Sequence, residues 1–338
     1  MSSERTRVLV TGATGFLGRN VLEALCARTD LEVVAACRRP DGLPPTFAGE
    51  QRVGDLLDPA YRASVVRGID VVCHAGTWGT LWAHAAAERD KFLEPTRDLV
   101  EQAIRSGVER FLMTSTMVIA PPPVDGSLDD LSPPVYTGFW PHLDRLIDID
   151  AFMRANAKRG TKMVTMRLGH FVGKGNTLGL VPALAPRLRT RLVPWIDGGR
   201  HRLALVADTD LGQAYLRACV ARELDDYESF NICGAEFPST REVIEFVARE
   251  GGLPQPWFSV PRWAAYAFGW LMEQVHPVLP GKAPFLTRSI VYLAEDWPCA
   301  VERAARKLEY IPRKDWKVAM REAVVELKAK GYPWPPLA

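Results

Sequence analysis

The stretch RVLVTGATGFLGRN, Arg7 to Asn20, constrains this chain more than any other. An apolar, β-branched run ends in a loop with glycines at 12, 15 and 18, and a helical pattern of about 12 residues begins from Gly15. In such a loop Gly12 permits the tight turn, Gly15 lets backbone approach a pyrophosphate, and Gly18 lets helix and strand pack closely. The helix start adds N–H groups without partners and a partial positive charge, both suited to phosphates. A plain tight turn is the bland alternative, and the strand–loop–helix setting weighs against it.

The rest of the first half keeps the same alternation. EVVAACRR (32–39), QRVGDLLD (51–58), DVVCHAG (70–76), RFLMTSTMVIA (110–120) and KMVTMRLGHFVG (162–173) read as strands, with helical periodicity between them. RDLVEQAIRSG (97–107) is such a helix, with Gly107 at its end. The strands are near-continuous apolar runs, as expected when helices cover both faces of a parallel sheet. The expected fold is α/β, a Rossmann-type doubly wound parallel sheet with a smaller, mostly helical C-terminal substrate lobe. The dinucleotide-binding domain is expected over 1–180, with 202–235 returning to it, and the lobe over 181–201 and 236–338. PSTREVIEFVAREGG (238–252) carries a capping-box start and a glycine end. APPPVDGSLDDLSPP (120–134) is the one loop-rich insert.

Composition narrows the partners. A net charge of +2 over 338 residues gives no reason to expect nucleic acid. No window approaches the roughly 20 apolar residues of a membrane span, and the N-terminus does not read as a signal peptide. The six cysteines are scattered without a C-x-x-C pair, which predicts reduced core thiols in a cytoplasmic protein.

The end of the second strand bears on the cofactor. A ribose-binding acid would fall at Cys37, but the chain reads Cys37-Arg38-Arg39. Arginines there suit a 2′-phosphate, so NADP(H) is favoured over NAD(H); a solvated strand end is the plainer alternative. Asp55 stands where a carboxylate meets an adenine amino group, or simply caps a turn.

TGATGFLG, GDLLD, DVVCHAG and GVERFLMTSTMV together resemble the extended short-chain dehydrogenase/reductase family. The likeness is to its epimerase/dehydratase and 3β-hydroxysteroid-dehydrogenase-like branch. MRLGHFVGKGN and LALVADTDLGQAY extend it to about residue 240. The resemblance implies dinucleotide contacts from Gly12, Thr14, Gly15, Phe16, Leu17, Gly18, Arg38, Arg39, Asp55, Leu56, Ala75, Gly76, Thr114, Leu168 and His170. It also implies a homodimer and a small-molecule substrate.

The same resemblance implies a Tyr-x-x-x-Lys pair, in which the lysine lowers the phenol pKa and a Ser or Thr polarises the substrate oxygen. Aligning PHLDRLIDID on Asp150 puts His142 in the tyrosine slot and Leu146 in the lysine slot. No lysine lies between Asp125 and Ala157, so a slip in register does not restore the pair. Tyr136 is the nearest stand-in phenol, and Trp140 follows it at the lysine spacing. Phe92 and Leu168 replace the family's structural asparagine and proline, whereas Thr116 fills the hydroxyl slot. Three readings stay open. His142 with Thr116 and Tyr136 performs altered acid/base catalysis; or hydride adds to a conjugated alkene; or the scaffold binds dinucleotide without redox chemistry, as a sensor or partner protein.

Substrate clues diverge. DGGRHRLALV (197–206) resembles the stretch in sugar-nucleotide enzymes where an arginine, here Arg202, reaches a diphosphate, and Arg187, Arg189, Arg191 and Arg200 lie nearby. An exposed basic loop explains the same residues. VPRWAAYAFGWLMEQV (260–275) is a helix apolar nearly all round. It packs in the lobe, covers an apolar substrate, or makes a peripheral membrane contact. Trp78 and Trp82, after the fourth strand, are expected to line a pocket for an apolar or aromatic substrate.

Overall fold

The computed structural model describes residues 5–122, 127–276 and 284–334. Residues 123–126 of the loop-rich insert lie outside these. The first half runs β1 (Thr6–Thr11), α1 (Phe16–Cys26), β2 (Leu31–Cys37), β3 (Glu50–Val53), α2 (Pro59–Val65) and β4 (Val71–His74). It continues with α3 (Ala85–Glu88), α4 (Glu94–Arg105), β5 (Arg110–Thr116), α5 (Pro141–Asn156), β6 (Lys162–Leu168) and β7 (His170–Val172). The second half holds α6 (Leu180–Leu188), β8 (Trp195–Ile196), β9 (Leu205–Ala207), α7 (Asp208–Val220), β10 (Tyr227–Ile232) and α8 (Thr240–Gly251). It closes with β11 (Ser259–Val260), α9 (Arg262–Val275), α10 (Arg288–Leu293), α11 (Glu302–Leu308) and α12 (Trp316–Ala329).

Seven strands form one sheet in the order β10-β6-β5-β4-β1-β2-β3, every neighbour parallel. The order reverses beside β1, where a crevice opens at the carboxyl ends of β1 and β4. One face packs on α2, α4 and α5 through Val65, Leu99, Val100, Leu143 and Ile147. The other packs on α1, α7 and α11 through Leu22, Leu25, Leu211, Tyr215 and Leu308. Both faces are covered, so the inner strands bury most of their residues and read as unbroken apolar runs, whereas the edge strand β3 buries none.

Local signals account for several boundaries. α4 ends with Gly107 at φ +73°, Val108 N–H bonding Ala103 O and Gly107 N–H bonding Ile104 O, the two bonds of a Schellman stop. α8 starts with the reciprocal Ser239–Glu242 capping box. Between α3 and α4 the helix widens into a π turn over Arg89–Leu93. Pro95, in the first turn of α4, has no N–H to give to the preceding turn, and the widening accommodates it.

A separate apolar cluster joins α6, α8 and α12 through Val181, Leu188, Phe246, Val247, Met320 and Val324. Helix α9 buries only Ala265 and Gly269. Trp263 and Trp270 are 75% and 51% exposed, so the apolar helix does not sink into the lobe. Among the described residues no helix is long and apolar enough to cross a membrane.

The cysteines depart from the expectation of six separate reduced core thiols. Cys26 is exposed at the end of α1. Cys233, just after β10, and Cys299, just before α11, bring their sulfurs into bonding contact across 66 residues. Cys37, Cys73 and Cys219 are buried and free.

Candidate active site

The glycine loop closes under its own weight of backbone contacts. Gly12 takes φ +65°, and a β-carbon on it would lie 2.6 Å from Gly76 Cα. A β-carbon on Gly18 would lie 2.2 Å from Gly12 O, so the first turn of α1 can pack on the loop only with glycine there. A β-carbon on Gly15 would lie 3.2 Å from Gly12 O, a tight contact to which the loop would have to yield slightly. Gly15 stands at the N-cap of α1 without a side-chain cap, and no acidic residue occupies the first turn. The amides of Phe16, Leu17 and Gly18 are therefore open to an anion without a competing side-chain cap, and the residues present fit a dinucleotide pyrophosphate.

Two further features support the cradle. Beneath the loop, Thr11 Oγ1 lies 2.7 Å from Nδ1 of His74, and Gly76 N–H donates to the same hydroxyl (3.3 Å). Burial of His74 pushes its imidazole down to about 4, so it sits neutral in the core and pins β4 to β1. At the outer edge, Arg38 and Arg39 are exposed past the end of β2, and neither guanidinium makes a hydrogen bond or ion pair among the described residues. Thr14 touches the turn after them: a β-carbon on Gly42 would meet its side chain at 3.0 Å. Asp55 Oδ1 accepts from Leu57 N–H (3.0 Å), a local turn that leaves Oδ2 available, and Leu56 packs towards Gly76.

Ala75 and Gly76 follow β4 at the loop. Thr114 is committed within the protein: its hydroxyl bonds His74 O (2.8 Å) and the Tyr215 hydroxyl (2.5 Å). Leu168 is buried at the end of β6. The Nε2 of His170, shielded from solvent, has no hydrogen-bond partner among the described residues, and burial pushes this ring down to about 4.

The residues expected to react lie at the ends of β4 and β5 and the start of α5. Thr116 Oγ1 makes only long contacts, to Leu168 O (3.3 Å) and from Val118 N–H (3.4 Å), and so remains able to turn towards a ligand. His142, second in α5, places Nδ1 3.0 Å from Oε2 of Glu88, which is fully buried. Its ring lies against Phe92, centroids 5.0 Å apart, and against the backbone of Gly79, where a β-carbon would come within 2.5 Å. Trp78 and Trp82 sit on the loop after β4, both edge-on to His84. That loop carries Ala83 and His84 in the left-handed region at φ 50° and 59°, strain of the kind found at ligand sites. Trp82 Nε1 is buried without a hydrogen-bond partner among the described residues. Phe139, Tyr266 and Tyr292 add an aromatic wall, edge to face at 5.6 and 6.0 Å.

Other expected residues lie elsewhere. Tyr136 is 56% exposed and donates its hydroxyl to Asp148 (2.8 Å), so the structure places this phenol at the surface. Arg202 forms a two-pronged pair with Asp296 (3.1 and 2.7 Å). Arg187 turns inward onto Phe285 O and Ala183 O, and burial pushes it down to about 10. Sequence reasoning did not find Glu88, Gly79 or Tyr292; Tyr266 lies on the apolar helix 260–275 that it offered as a cover for an apolar substrate. Gly79 had a signal in its position after β4, whereas Glu88 meets His142 only across 54 residues.

A nucleotide-binding α/β protein of the doubly wound class is what this crevice defines. The profile of the NAD dependent epimerase/dehydratase family matches residues 8–233, and the chain belongs to that family. It is 25% identical to a 2-alkyl-3-oxoalkanoate reductase of Stenotrophomonas maltophilia, over 96% of this chain and 99% of that one. A 3 beta-hydroxysteroid dehydrogenase/Delta 5-->4-isomerase of Mycobacterium tuberculosis is 26% identical, over 96% of this chain and 91% of its own. The fold superposes on the dTDP-glucose 4,6-dehydratase DesIV of Streptomyces venezuelae, solved with NAD and TYD bound. The TM-score is 0.74 at 20% identity, covering 98% of this chain and 100% of the other.

Proposed function

We propose that the protein is an NADP(H)-dependent oxidoreductase acting on a small apolar or aromatic carbonyl, alcohol or conjugated alkene, with His142 as its proton carrier. The observation that carries this reading is the open N-terminus of α1 at one end of the crevice and an imidazole at the head of α5 at the other. Arg38 and Arg39 support the 2′-phosphate, since a guanidinium fork without a protein partner is available to it. A bound dinucleotide would supply or accept hydride at nicotinamide C4. The Thr116 hydroxyl would hold the substrate oxygen, and His142 would exchange the proton there. Trp78, Trp82, Phe139, Tyr266 and Tyr292 favour an apolar or aromatic substrate. The reductase and dehydrogenase named above act, by their names, on oxoalkanoates and steroids, which fits an apolar carbonyl or alcohol.

The competing reading is a dinucleotide-binding protein without redox activity. The Phe92 and Glu88 contacts of His142 favour it, because a packing histidine would make the same ones. A sugar-nucleotide substrate loses support from Arg202, whose charge Asp296 already holds. Titration of tryptophan fluorescence with NADPH and NADH, followed by a screen of oxoalkanoates, steroid ketones and aromatic enones for NADPH consumption, separates the readings. Turnover that Thr116→Ala or His142→Ala abolishes supports the oxidoreductase. Tight NADPH binding with no turnover supports the sensor, and no binding of either nucleotide defeats both.

A further inference from the structure

We infer that Glu88 is a positioning residue that fixes the tautomer of His142, keeping the proton on Nδ1 and leaving Nε2 as the nitrogen that exchanges protons with a ligand. The inference rests on the reading of His142 as proton carrier. Its physical basis stands on Glu88 itself.

A carboxylate with no solvent exposure is tolerated only when its oxygens are occupied. Oε1 accepts the Thr80 N–H at 2.8 Å and lies 3.1 Å from the Thr80 hydroxyl. That hydroxyl has one proton and is also 3.1 Å from Trp82 O, so the backbone N–H is the donor that never leaves Oε1. Among the described residues Oε2 has one partner, His142 Nδ1 at 3.0 Å. An ionised Glu88 can only accept, which demands the proton on Nδ1.

The surroundings prevent the imidazole from escaping this demand. Phe92 and the Gly79 backbone close on its two sides. Trp140 Nε1 donates to Thr80 O at 2.8 Å, tying the Thr80 segment to the residue just before α5. The π turn at Arg89–Leu93 follows Glu88 directly and packs against α5. Nε2 makes no hydrogen bond among the described residues. In the reducing direction the imidazolium gives its Nε2 proton to the carbonyl oxygen as hydride reaches the carbon. C=O becomes CH–OH, the reduced dinucleotide loses two electrons, and neutral imidazole remains with Nδ1–H on Glu88.

Glu88→Gln tests this in a way that packing alone would not. The Thr80 N–H requires an acceptor, so the glutamine oxygen takes that side and its NH2 turns towards His142. Nδ1 must then accept, and the proton moves to Nε2. Long-range 15N–1H spectra of histidine-labelled protein read the tautomer directly, with the His142→Asn variant identifying the signal. The expected result is Nδ1–H in wild type and Nε2–H in Glu88→Gln. Under the oxidoreductase reading, kcat falls about a hundredfold while KM changes little.

An Nε2–H tautomer in neutral wild-type protein overturns the inference, as does Glu88→Gln with an unchanged tautomer. If that variant does not fold, the wild-type spectrum alone decides. The spectrum needs no substrate. A failure to find turnover would count against the oxidoreductase reading and not against Glu88.

Discussion

Gly12 and Gly76 approach so closely that a β-carbon on the first would sit 2.6 Å from the α-carbon of the second. The contact brings the glycine loop and the loop after β4 to one point, the floor of the proposed nucleotide site. Gly12→Ala should cost at least about 2 kcal/mol, from the positive φ and the clash together. Gly15→Ala has negative φ and meets only Gly12 O, at 3.2 Å, a tight contact that a shift of a few tenths of an ångström relieves, so it should cost less stability than Gly12→Ala while losing NADPH affinity. Thermal melts and fluorescence titrations of the two variants check this. Equal nucleotide affinity in Gly15→Ala and wild type would count against the loop as a phosphate cradle.

The pair Arg38 and Arg39 gives the nucleotide preference a test. Replacing both by alanine should raise the NADPH Kd at least tenfold, about 1.4 kcal/mol, and leave the NADH Kd nearly unchanged. Raising the salt should weaken NADPH binding in wild type more than in the variant. A parallel loss for both nucleotides would show that the arginines do not read the 2′-phosphate.

His74 makes the fold acid-sensitive. Its folded pKa, about 4, lies below the unfolded value near 6.5, so the unfolded chain binds the extra proton first. Stability is fully present above about pH 6.5 and is lost as pH falls towards 4, by about 3 kcal/mol across that window. Asp130 acts with the opposite sign. Burial raises it to about 6, so its cost to the native state is relieved as pH falls through 6. Melts between pH 7.5 and 4.5 should fall steeply in wild type and less steeply in His74→Asn. An identical slope in both would refute the assignment to His74.

Thr116→Val keeps the side-chain volume and removes the hydroxyl that lies at the end of β5. Its hydrogen bonds in the protein are long, so stability should change by less than about 1 kcal/mol. The rate of carbonyl reduction should fall by about 10² to 10³, as when one oxygen-stabilising donor is lost. A stable variant with the wild-type rate would remove Thr116 from the site.

The fold was largely legible because its signals are local. Gly107 stops α4, Ser239 and Glu242 start α8, and the apolar runs mark strands covered on both faces. The nucleotide loop was legible for the same reason, since its three glycines and its helix are one stretch of chain. The proposed reacting end depends on partners far apart in sequence. Arg202 resembled an anion ligand until Asp296, 94 residues on, paired with it. Tyr136 lies close to His142 in sequence, yet it turns outward onto Asp148. Helical periodicity marked α9 as apolar but could not say that Trp263 and Trp270 would face outward. Glu88 carried no signal at all, because an acid before a π turn means nothing until His142 meets it.

The most direct test of the account is the single-turnover rate of NADPH oxidation by a reducible carbonyl, in wild type and His142→Ala, at saturating nucleotide. The account predicts a fall of about 10² to 10⁴ in the variant with its NADPH Kd unchanged. Equal rates in the two proteins would contradict it.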